Sequence, residues 1–96
     1  MTKADIVSNI SDQLGIDKTD VQSTEESIMK EIKTSLESGE NVYLRGFGSF
    51  IIKTRAEKTG RNISKNVAVK IPAHNIPAFK PAKIFTSGVK SKVEVA

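Results

Sequence analysis

The stretch NVYLRGFGSFIIKTR, residues 41–55, is typical of two short β-strands joined by a tight turn. On both sides of the turn the side chains alternate in character, with the period of two that a strand requires. Val42 and Leu44 share one face, and Phe50 and Ile52 share an apolar face after the turn. The segment Gly46-Phe47-Gly48 supplies the backbone freedom that a turn needs. These residues predict the first two strands of an antiparallel sheet.

A cationic hairpin is predicted directly after this stretch. The segments KTRAEK, residues 53–58, and VAVKIP, residues 67–72, resemble two strands, and residues 60–66, GRNISKN, form the tip. One isoleucine, Ile63, stands in the tip among basic, amide and hydroxyl side chains, where it has nothing local to pack against. One face of the hairpin is basic along its distal part, through Lys53, Arg55, Lys58, Arg61, Lys65 and Lys70.

Two amphipathic helices are predicted before the sheet. The first begins with a capping box formed by Thr2 and Asp5, and it ends at Gly15. The second begins at Asp17 or Thr19. An apolar stripe at helical spacing follows the second helix and is predicted to be buried: Val21, Ile28, Met29, Ile32 and Leu36.

The segment after the hairpin contains Pro72, Pro77 and Pro81. Because proline has no backbone N–H, these residues predict that the strand ladder ends here. A short helix containing Ile84 and Phe85 is predicted over residues 82–91. The fold class is therefore α+β, with two N-terminal helices, a three-stranded antiparallel sheet extended into a long β-ribbon arm, and a short C-terminal helix.

Charge is separated along the chain. Residues 1–44 contain nine acids and four bases, whereas residues 45–96 contain two acids and eleven bases. A basic half of this kind indicates a polyanionic partner. The acidic half contains no chemical motif and is interpreted as a solvated surface.

Residue types for catalysis are scarce. The chain has one histidine, His74, and no cysteine, so it cannot build a thiolate or histidine zinc site. The turn sequence lacks the third glycine of a dinucleotide fingerprint, because Ile51 stands at that position. We predict a protein that is not an enzyme and needs no metal or cofactor. The longest apolar run is three residues, so no membrane span is predicted and a cytoplasmic location is expected.

Three segments, LRGFGSF at 44–50, GRN at 60–62 and IPAFKPAK at 76–83, resemble the HU and integration host factor family of bacterial DNA-bending proteins, and HU more closely. The similarity extends over residues 1–90. It implies an intertwined homodimer with two β-ribbon arms that reach around DNA through the minor groove. It also implies one domain over residues 1–96, with a helical dimerisation region at 1–40, the sheet and arm at 41–81, and the closing helix at 82–91.

The resemblance assigns Ile63 to the position of the wedge proline in the family pattern Gly-Arg-Asn-Pro. Isoleucine can also insert between base steps, but it lacks the rigidity of proline, so bend and affinity are expected to differ. The alternative is that Ile63 is only a β-forming residue at the last rung of the hairpin. The residues that match the family's minor-groove arm are Arg55, Lys58, Arg61 and Asn62.

Further roles follow from the same match. Phosphate contacts are expected from Lys3, Lys53, Lys65, Lys70, Lys80 and Lys83, and from the backbone of Gly46 and Gly48. Any single lysine of this set has the alternative interpretation of a solvated surface charge. Aromatic side chains among basic residues can stack on bases, but Phe47, Phe50 and Phe79 match core positions of the family and are assigned to the dimer core.

The leading hypothesis is a nucleoid protein that binds and bends double-stranded DNA without sequence specificity, favouring flexible, nicked or distorted sites. A site-specific bender of the integration host factor type is a second hypothesis, although no obvious set of base-reading residues is present. A protein-interaction module that uses the hairpin for β-augmentation is a third. RNA stays open as a secondary partner, because a basic arm that follows phosphates can also meet RNA.

Overall fold

The computed structural model describes residues 1–62 and 67–95. Within them the chain is α+β, as predicted, and forms two compact units, Met1–Ser35 and Leu36–Ala96. The described elements are α1 (Lys3–Leu14), α2 (Lys18–Glu37), β1 (Val42–Leu44), β2 (Gly48–Arg55), β3 (Lys58–Asn62), β4 (Val67–Ile71), β5 (His74–Pro81) and α3 (Lys83–Lys92). None of the helices in this part of the chain is long and apolar enough to cross a membrane.

Helix α1 has both ends that the sequence predicts. Thr2 Oγ1 accepts a hydrogen bond from the Asp5 backbone N–H at 3.2 Å, and the Asp5 carboxylate accepts one from the Thr2 N–H at 2.8 Å. This reciprocal pair is the capping box, which satisfies two N–H groups that lack a partner within the helix. At the other end Gly15 adopts the left-handed conformation with φ of 66°, and its N–H donates to the Ser11 carbonyl.

Helix α2 begins directly after Asp17, the first of the two predicted starts, since Lys18 is its first residue. In a single chain the predicted stripe along this helix is buried only in part, with Ile32 and Leu36 half-buried. Val21 is buried, but Ile28 and Met29 are 53% and 40% exposed. These apolar side chains lie on one face of the helix because their spacing is helical, but a single chain does not bury the whole of that face.

The predicted three-stranded antiparallel sheet is confirmed, in the order β1-β2-β5. In its register Phe50 faces Val42 on one side and Phe79 on the other. Directly before β1, a side chain continues the contact with β2: Asn41 Oδ1 accepts a hydrogen bond from the Ile52 N–H at 3.0 Å.

The prediction that the prolines end the ladder holds for Pro72, since β4 ends at Ile71, and is wrong for Pro77 and Pro81. Strand β5 pairs with β2 over its whole length, with Pro77 opposite Ile52 and Pro81 opposite Gly48. The strand order places β5 at the edge of the sheet. A proline is tolerated on an edge strand when its nitrogen faces away from the ladder, since no hydrogen bond is then lost.

The basic hairpin forms a second, two-stranded sheet from β3 and β4, with Gly60 opposite Val69. The two sheets are separate ladders, interrupted at residues 56–57 on one side and 72–73 on the other. The predicted arm is therefore present as an extension with a break at its base. The predicted tip residues Ile63, Lys65 and Asn66 lie outside the described residues.

All four phenylalanines gather in the C-terminal unit. Phe79 is central, with its ring centroid 5.2 Å from that of Phe47 and 4.9 Å from that of Phe50. Phe85 of α3 stacks on Phe47 at 5.4 Å. Phe47 and Phe79 are still 48% and 39% exposed. These rings pack on one another, and the exposed part of the cluster leaves apolar surface for a partner. Their assignment to the dimer core stays a prediction. Phe85 is the member of the cluster that was not predicted from the sequence.

Candidate nucleic-acid interface

The three-stranded sheet has one aromatic face and one basic face. Opposite residues of antiparallel strands lie on the same face, and the face alternates along each strand. Phe50 and Phe79 are one such pair on the aromatic face. On the other side Ser49 faces Lys80, Lys53 faces Ile76, and Arg55 faces His74. We call the exposed residues of this side the cationic face: Lys53, Arg55, His74 and Lys80.

The turn between β1 and β2 continues the cationic face. Gly46 has a φ of 83°, and the Phe47 N–H donates to the Leu44 carbonyl at 3.0 Å to close the turn. A shallow depression beside the turn is lined by basic and polar groups that include Tyr43, Arg45, Lys80 and Lys83. Two predicted phosphate ligands, Lys80 and Lys83, are thus brought together next to Gly46.

Tyr43 and Arg45 were not among the site residues predicted from the sequence. Both line the depression, and Tyr43 is 71% exposed. The signal that could have identified Tyr43 is the alternation of β1, which places it on the other face from Val42 and Leu44, whereas Arg45 lies in the turn that follows. A tyrosine that stays exposed beside basic residues is a candidate for contact with a nucleic acid backbone.

Gly48 has a structural role that the sequence analysis did not predict. It is buried, and a Cβ atom at this position would lie 2.6 Å from the Phe79 ring and 2.7 Å from the Lys80 carbonyl oxygen. The absence of a side chain therefore accommodates Phe79. The expected phosphate contact of the Gly48 backbone stays a prediction.

The base of the arm is exposed and basic. Lys58 begins β3, and Lys70 of β4 makes an ion pair with Glu57 at 2.9 Å. The Lys70 side chain is 76% exposed and the Glu57 side chain is 51% exposed. The pair is therefore open to solvent and weak. Arg61 and Asn62 lie in β3, opposite Ala68 and Val67.

Lys3 belongs to the N-terminal unit, where it pairs with a carboxylate. Its Nζ lies 3.3 Å from Glu26 Oε1. A hydrogen bond from Gln22, together with the hydrogen bond and charge of Lys3, lowers the pKa of Glu26 below its ordinary value. The expected contact of Lys3 with a phosphate stays a prediction, and Glu26 would compete for the same ammonium group.

Metal-binding chemistry is not found in the described part of the chain, which has no group of three or more potential metal-ligating side chains. His74 instead makes a backbone contact, with Nδ1 3.0 Å from the Pro72 carbonyl oxygen. The arrangement offers exposed cations and hydrogen-bond donors on a rigid sheet, which suits the binding of a polyanion.

Proteins that are named for DNA binding are similar to this chain. Residues 1–90 match the family model described as bacterial DNA-binding protein. The chain is 36% identical over 92 residues to the SPbeta prophage-derived DNA-binding protein HU 2 of Bacillus subtilis, covering 96% of this chain and all of that protein. It is 37% identical over 94 residues to integration host factor subunit alpha of Aliivibrio fischeri, covering 98% of this chain and 92% of that protein.

Solved structures with the same fold include two HU proteins. The HU of an Anabaena HU–DNA cocrystal structure superposes with a TM-score of 0.88 and 31% identity, over 93% of this chain and 97% of that one. A V42I mutant of HU from Thermotoga maritima superposes with a TM-score of 0.70 and 25% identity, over 93% of this chain and 99% of that one.

Proposed function

Since the chain belongs to the family of bacterial DNA-binding proteins that includes HU and integration host factor, we propose that it binds double-stranded DNA without sequence specificity and bends it. The observation that supports this most directly is the cationic face, which continues into the turn and leads to the basic arm. We place the protein in the nucleoid of the bacterial cytoplasm, as an architectural protein and not an enzyme.

Electrostatics supply most of the binding free energy in this proposal. Lysine and arginine side chains that neutralise phosphates release counterions from DNA, and affinity then falls steeply with salt. The phosphate ligands are Lys53 and Lys80 on the sheet and Lys83 at the start of α3, with the backbone of Gly46 and Gly48 beside them. Lys3, Lys65 and Lys70 complete the set. On the arm, Lys58, Arg61 and Asn62 enter the minor groove, where negative potential attracts basic side chains.

The proposed functional unit is a homodimer. A chain of 96 residues buries a modest fraction of its surface, and large apolar side chains stay exposed in both units. In the N-terminal unit these include Leu14 and Ile28, which are 65% and 53% exposed and line a groove between α1 and α2. In the C-terminal unit they include Phe47 and Phe79. Exposed apolar patches of this kind are sites of protein association.

Bending is assigned to the tip of the arm. Ile63 replaces the proline of the family pattern and is proposed to insert between base pairs as an apolar wedge. Because isoleucine does not restrict the backbone as proline does, bend angle and affinity should differ from those of a relative with proline at the tip. A flexible or nicked duplex costs less to unstack and is the preferred target. RNA is a secondary partner in this proposal, bound through the same phosphate contacts.

The choice between an HU-like and an integration host factor-like activity rests on the side chains available for reading bases. The two types of relative are equally similar in sequence, at 36% and 37% identity. Asn62 contacts groups that A·T and T·A pairs share in the minor groove, so it discriminates little between sequences. We therefore favour binding without sequence specificity.

A salt titration tests the proposal. Binding is measured for two random-sequence duplexes, one intact and one nicked at its centre, with the wild type, Ile63→Ala, and Val95→Ala as a fully exposed apolar control. We expect a steep loss of affinity with salt for all three proteins. A preference for the nicked duplex is expected from the wild type and from Val95→Ala, and its loss is expected in Ile63→Ala.

The outcomes separate the two parts of the proposal. If Ile63→Ala keeps the full preference for the nicked duplex, the arm is an electrostatic clamp and the wedge assignment is wrong. If no salt-dependent DNA binding is found, DNA is not the partner, and a protein partner for the hairpin becomes the better hypothesis.

A further inference from the structure

The pair of Arg55 and His74 stands where the three-stranded sheet ends and the arm begins. Arg55 is the last residue of β2, His74 is the first of β5, and they are direct partners in the strand register. Both are exposed on the cationic face. The Cβ atoms of such a pair are about 4.5–5.5 Å apart, so both side chains can reach the same anion.

The ring of His74 is oriented by the backbone beside it. Its Nδ1 lies 3.0 Å from the carbonyl oxygen of Pro72. Because a carbonyl oxygen can only accept a hydrogen bond, the tautomer that forms a hydrogen bond here is the one with its proton on Nδ1. No hydrogen bond of Nε2 is found within residues 1–62 and 67–95, so this nitrogen is available to solvent or to a ligand.

This orientation couples anion binding to a proton. With the proton fixed on Nδ1, a neutral ring presents Nε2 as an acceptor with a lone pair, which cannot bind a phosphate oxygen. A charged ring presents Nε2–H as a donor, and a charge-assisted hydrogen bond to phosphate then becomes possible. His74 can therefore bind a phosphate only after it takes up a proton.

The surroundings of His74 favour an anion. On β2 the basic groups that share its face are Arg55 and Lys53, and on β5 itself the next is Lys80. The acid closest in sequence to this end of β2 is Glu57, and its carboxylate is held by Lys70 at 2.9 Å. Within the described residues no acid belongs to the cationic face.

We propose that Arg55 and His74 form a phosphate-binding site for the DNA backbone, in which the guanidinium is always charged and the imidazole binds only when protonated. The inference rests on the proposed DNA-binding function. It assigns Arg55 to a phosphate, whereas the family resemblance alone assigned it to the minor groove. DNA binding at this site takes up a proton, so affinity increases as the pH falls.

The test is DNA affinity as a function of pH at constant ionic strength, for the wild type, His74→Gln and His74→Lys. The chain contains one histidine and no cysteine, so His74→Gln removes the only imidazole and leaves the terminal amine in place. An exposed charge pair contributes up to about 1 kcal/mol, which corresponds to about threefold to fivefold in affinity per site. For a dimer that uses both sites we expect about tenfold tighter binding at pH 5.5 than at pH 8.

The two variants should separate the role of charge from the role of shape. His74→Gln should bind at every pH as the wild type binds at pH 8, and its affinity should lack the increase at low pH. His74→Lys has a permanent charge and should bind at pH 8 about as tightly as the wild type at pH 5.5. Calorimetry near pH 6.5 in two buffers of different ionisation enthalpy should detect proton uptake by the wild type and not by His74→Gln.

A pH dependence that is the same in the wild type and in His74→Gln would overturn the inference. So would a wild-type affinity that does not change between pH 8 and 5.5 while salt-dependent binding is intact, and neither result would affect the proposed function. The absence of salt-dependent DNA binding at every pH would instead overturn the proposed function itself.

Discussion

The ring of Phe79 lies directly against the backbone of Gly48, so that a Cβ atom at position 48 would be 2.6 Å from ring carbons Cε1 and Cζ. The same Cβ would lie 2.7 Å from the Lys80 carbonyl oxygen. Phe79 in turn contacts Phe47, Phe50 and Phe85. A glycine on the sheet thus positions the ring that joins the whole aromatic cluster.

Gly48→Ala should destabilise the protein. The added methyl group meets backbone as well as a packed ring, so relief requires a shift of strand β5 and of Phe79. Overpacking of this kind costs about 1–3 kcal/mol in free energy of unfolding. Urea denaturation measures it, with Gly88→Ala as the control. Gly88 lies in α3, where a Cβ atom would have nothing within 4 Å, and alanine there should stabilise the helix by up to about 1 kcal/mol. Equal stability of the two variants would contradict the packing role of Gly48.

Removing the carboxylate of Glu25 should stabilise the fold. Both of its oxygens are buried, and neither has a hydrogen-bond partner within the described residues. The side chain lines an apolar groove between α1 and α2 that also contains Ile6 and Ile10. A buried polar group without a partner costs about 1–3 kcal/mol, so Glu25→Leu should raise the free energy of unfolding by an amount in this range.

The control for Glu25 is Glu31→Leu, an exposed acid on the same helix, which should change stability by less than about 0.5 kcal/mol. Thermal unfolding should be recorded at two protein concentrations, because a dimer unfolds at a higher temperature when more concentrated. A loss of stability in Glu25→Leu would show that the carboxylate receives a hydrogen bond from the partner subunit.

Glu26 should make a small, pH-dependent contribution to stability. Its pKa lies below the ordinary value of 4.5, mainly because Gln22 and Lys3 donate hydrogen bonds to it. The folded protein keeps this carboxylate ionised at a pH where the unfolded chain has already taken up the proton. The stabilisation is therefore complete above pH 4.5 and is lost as the pH falls through the lower pKa of the folded state.

Urea midpoints measured across the acidic range for the wild type and Glu26→Gln test this sign. The difference between them should be present at neutral pH and should decrease at acid pH. The pair is exposed, so salt should also reduce it. A difference that increases on acidification would contradict the hydrogen bonds described for Glu26.

Neutralising the cationic face should weaken DNA binding without a change in fold. Lys80→Gln removes an exposed charge beside the turn, and the slope of log affinity against log salt should decrease by about 0.9 for each phosphate that is no longer neutralised. The matched control is Lys33→Gln on the acidic half of the chain, which should leave the slope unchanged. Equal slopes for the two variants would remove Lys80 from the interface.

Local sequence determined much of the fold, because its elements depend on signals within a few residues. Thr2 and Asp5 begin α1, Gly15 ends it, and the alternation of residues 41–55 forms two strands about a glycine turn. The segregation of charge is visible in the sequence as well, and by itself it indicates a polyanionic partner. Pro77 and Pro81 were misinterpreted because the effect of a proline depends on the position of its strand within the sheet. That β5 is an edge strand with Pro77 in its ladder is not encoded in the neighbourhood of the prolines.

Tertiary structure decided which residues face one another across strands. Only the register of β2 and β5 pairs Arg55 with His74, and only the approach of Phe79 explains why residue 48 is glycine. The register also separates an aromatic face from a cationic one and adds Tyr43 and Arg45 to the basic depression beside the turn. The alternation of side chains along a strand can be read from the sequence, because it depends on neighbouring residues. Contacts between residues that are distant in the chain depend on pairing and packing, and these exist only once the strands have assembled.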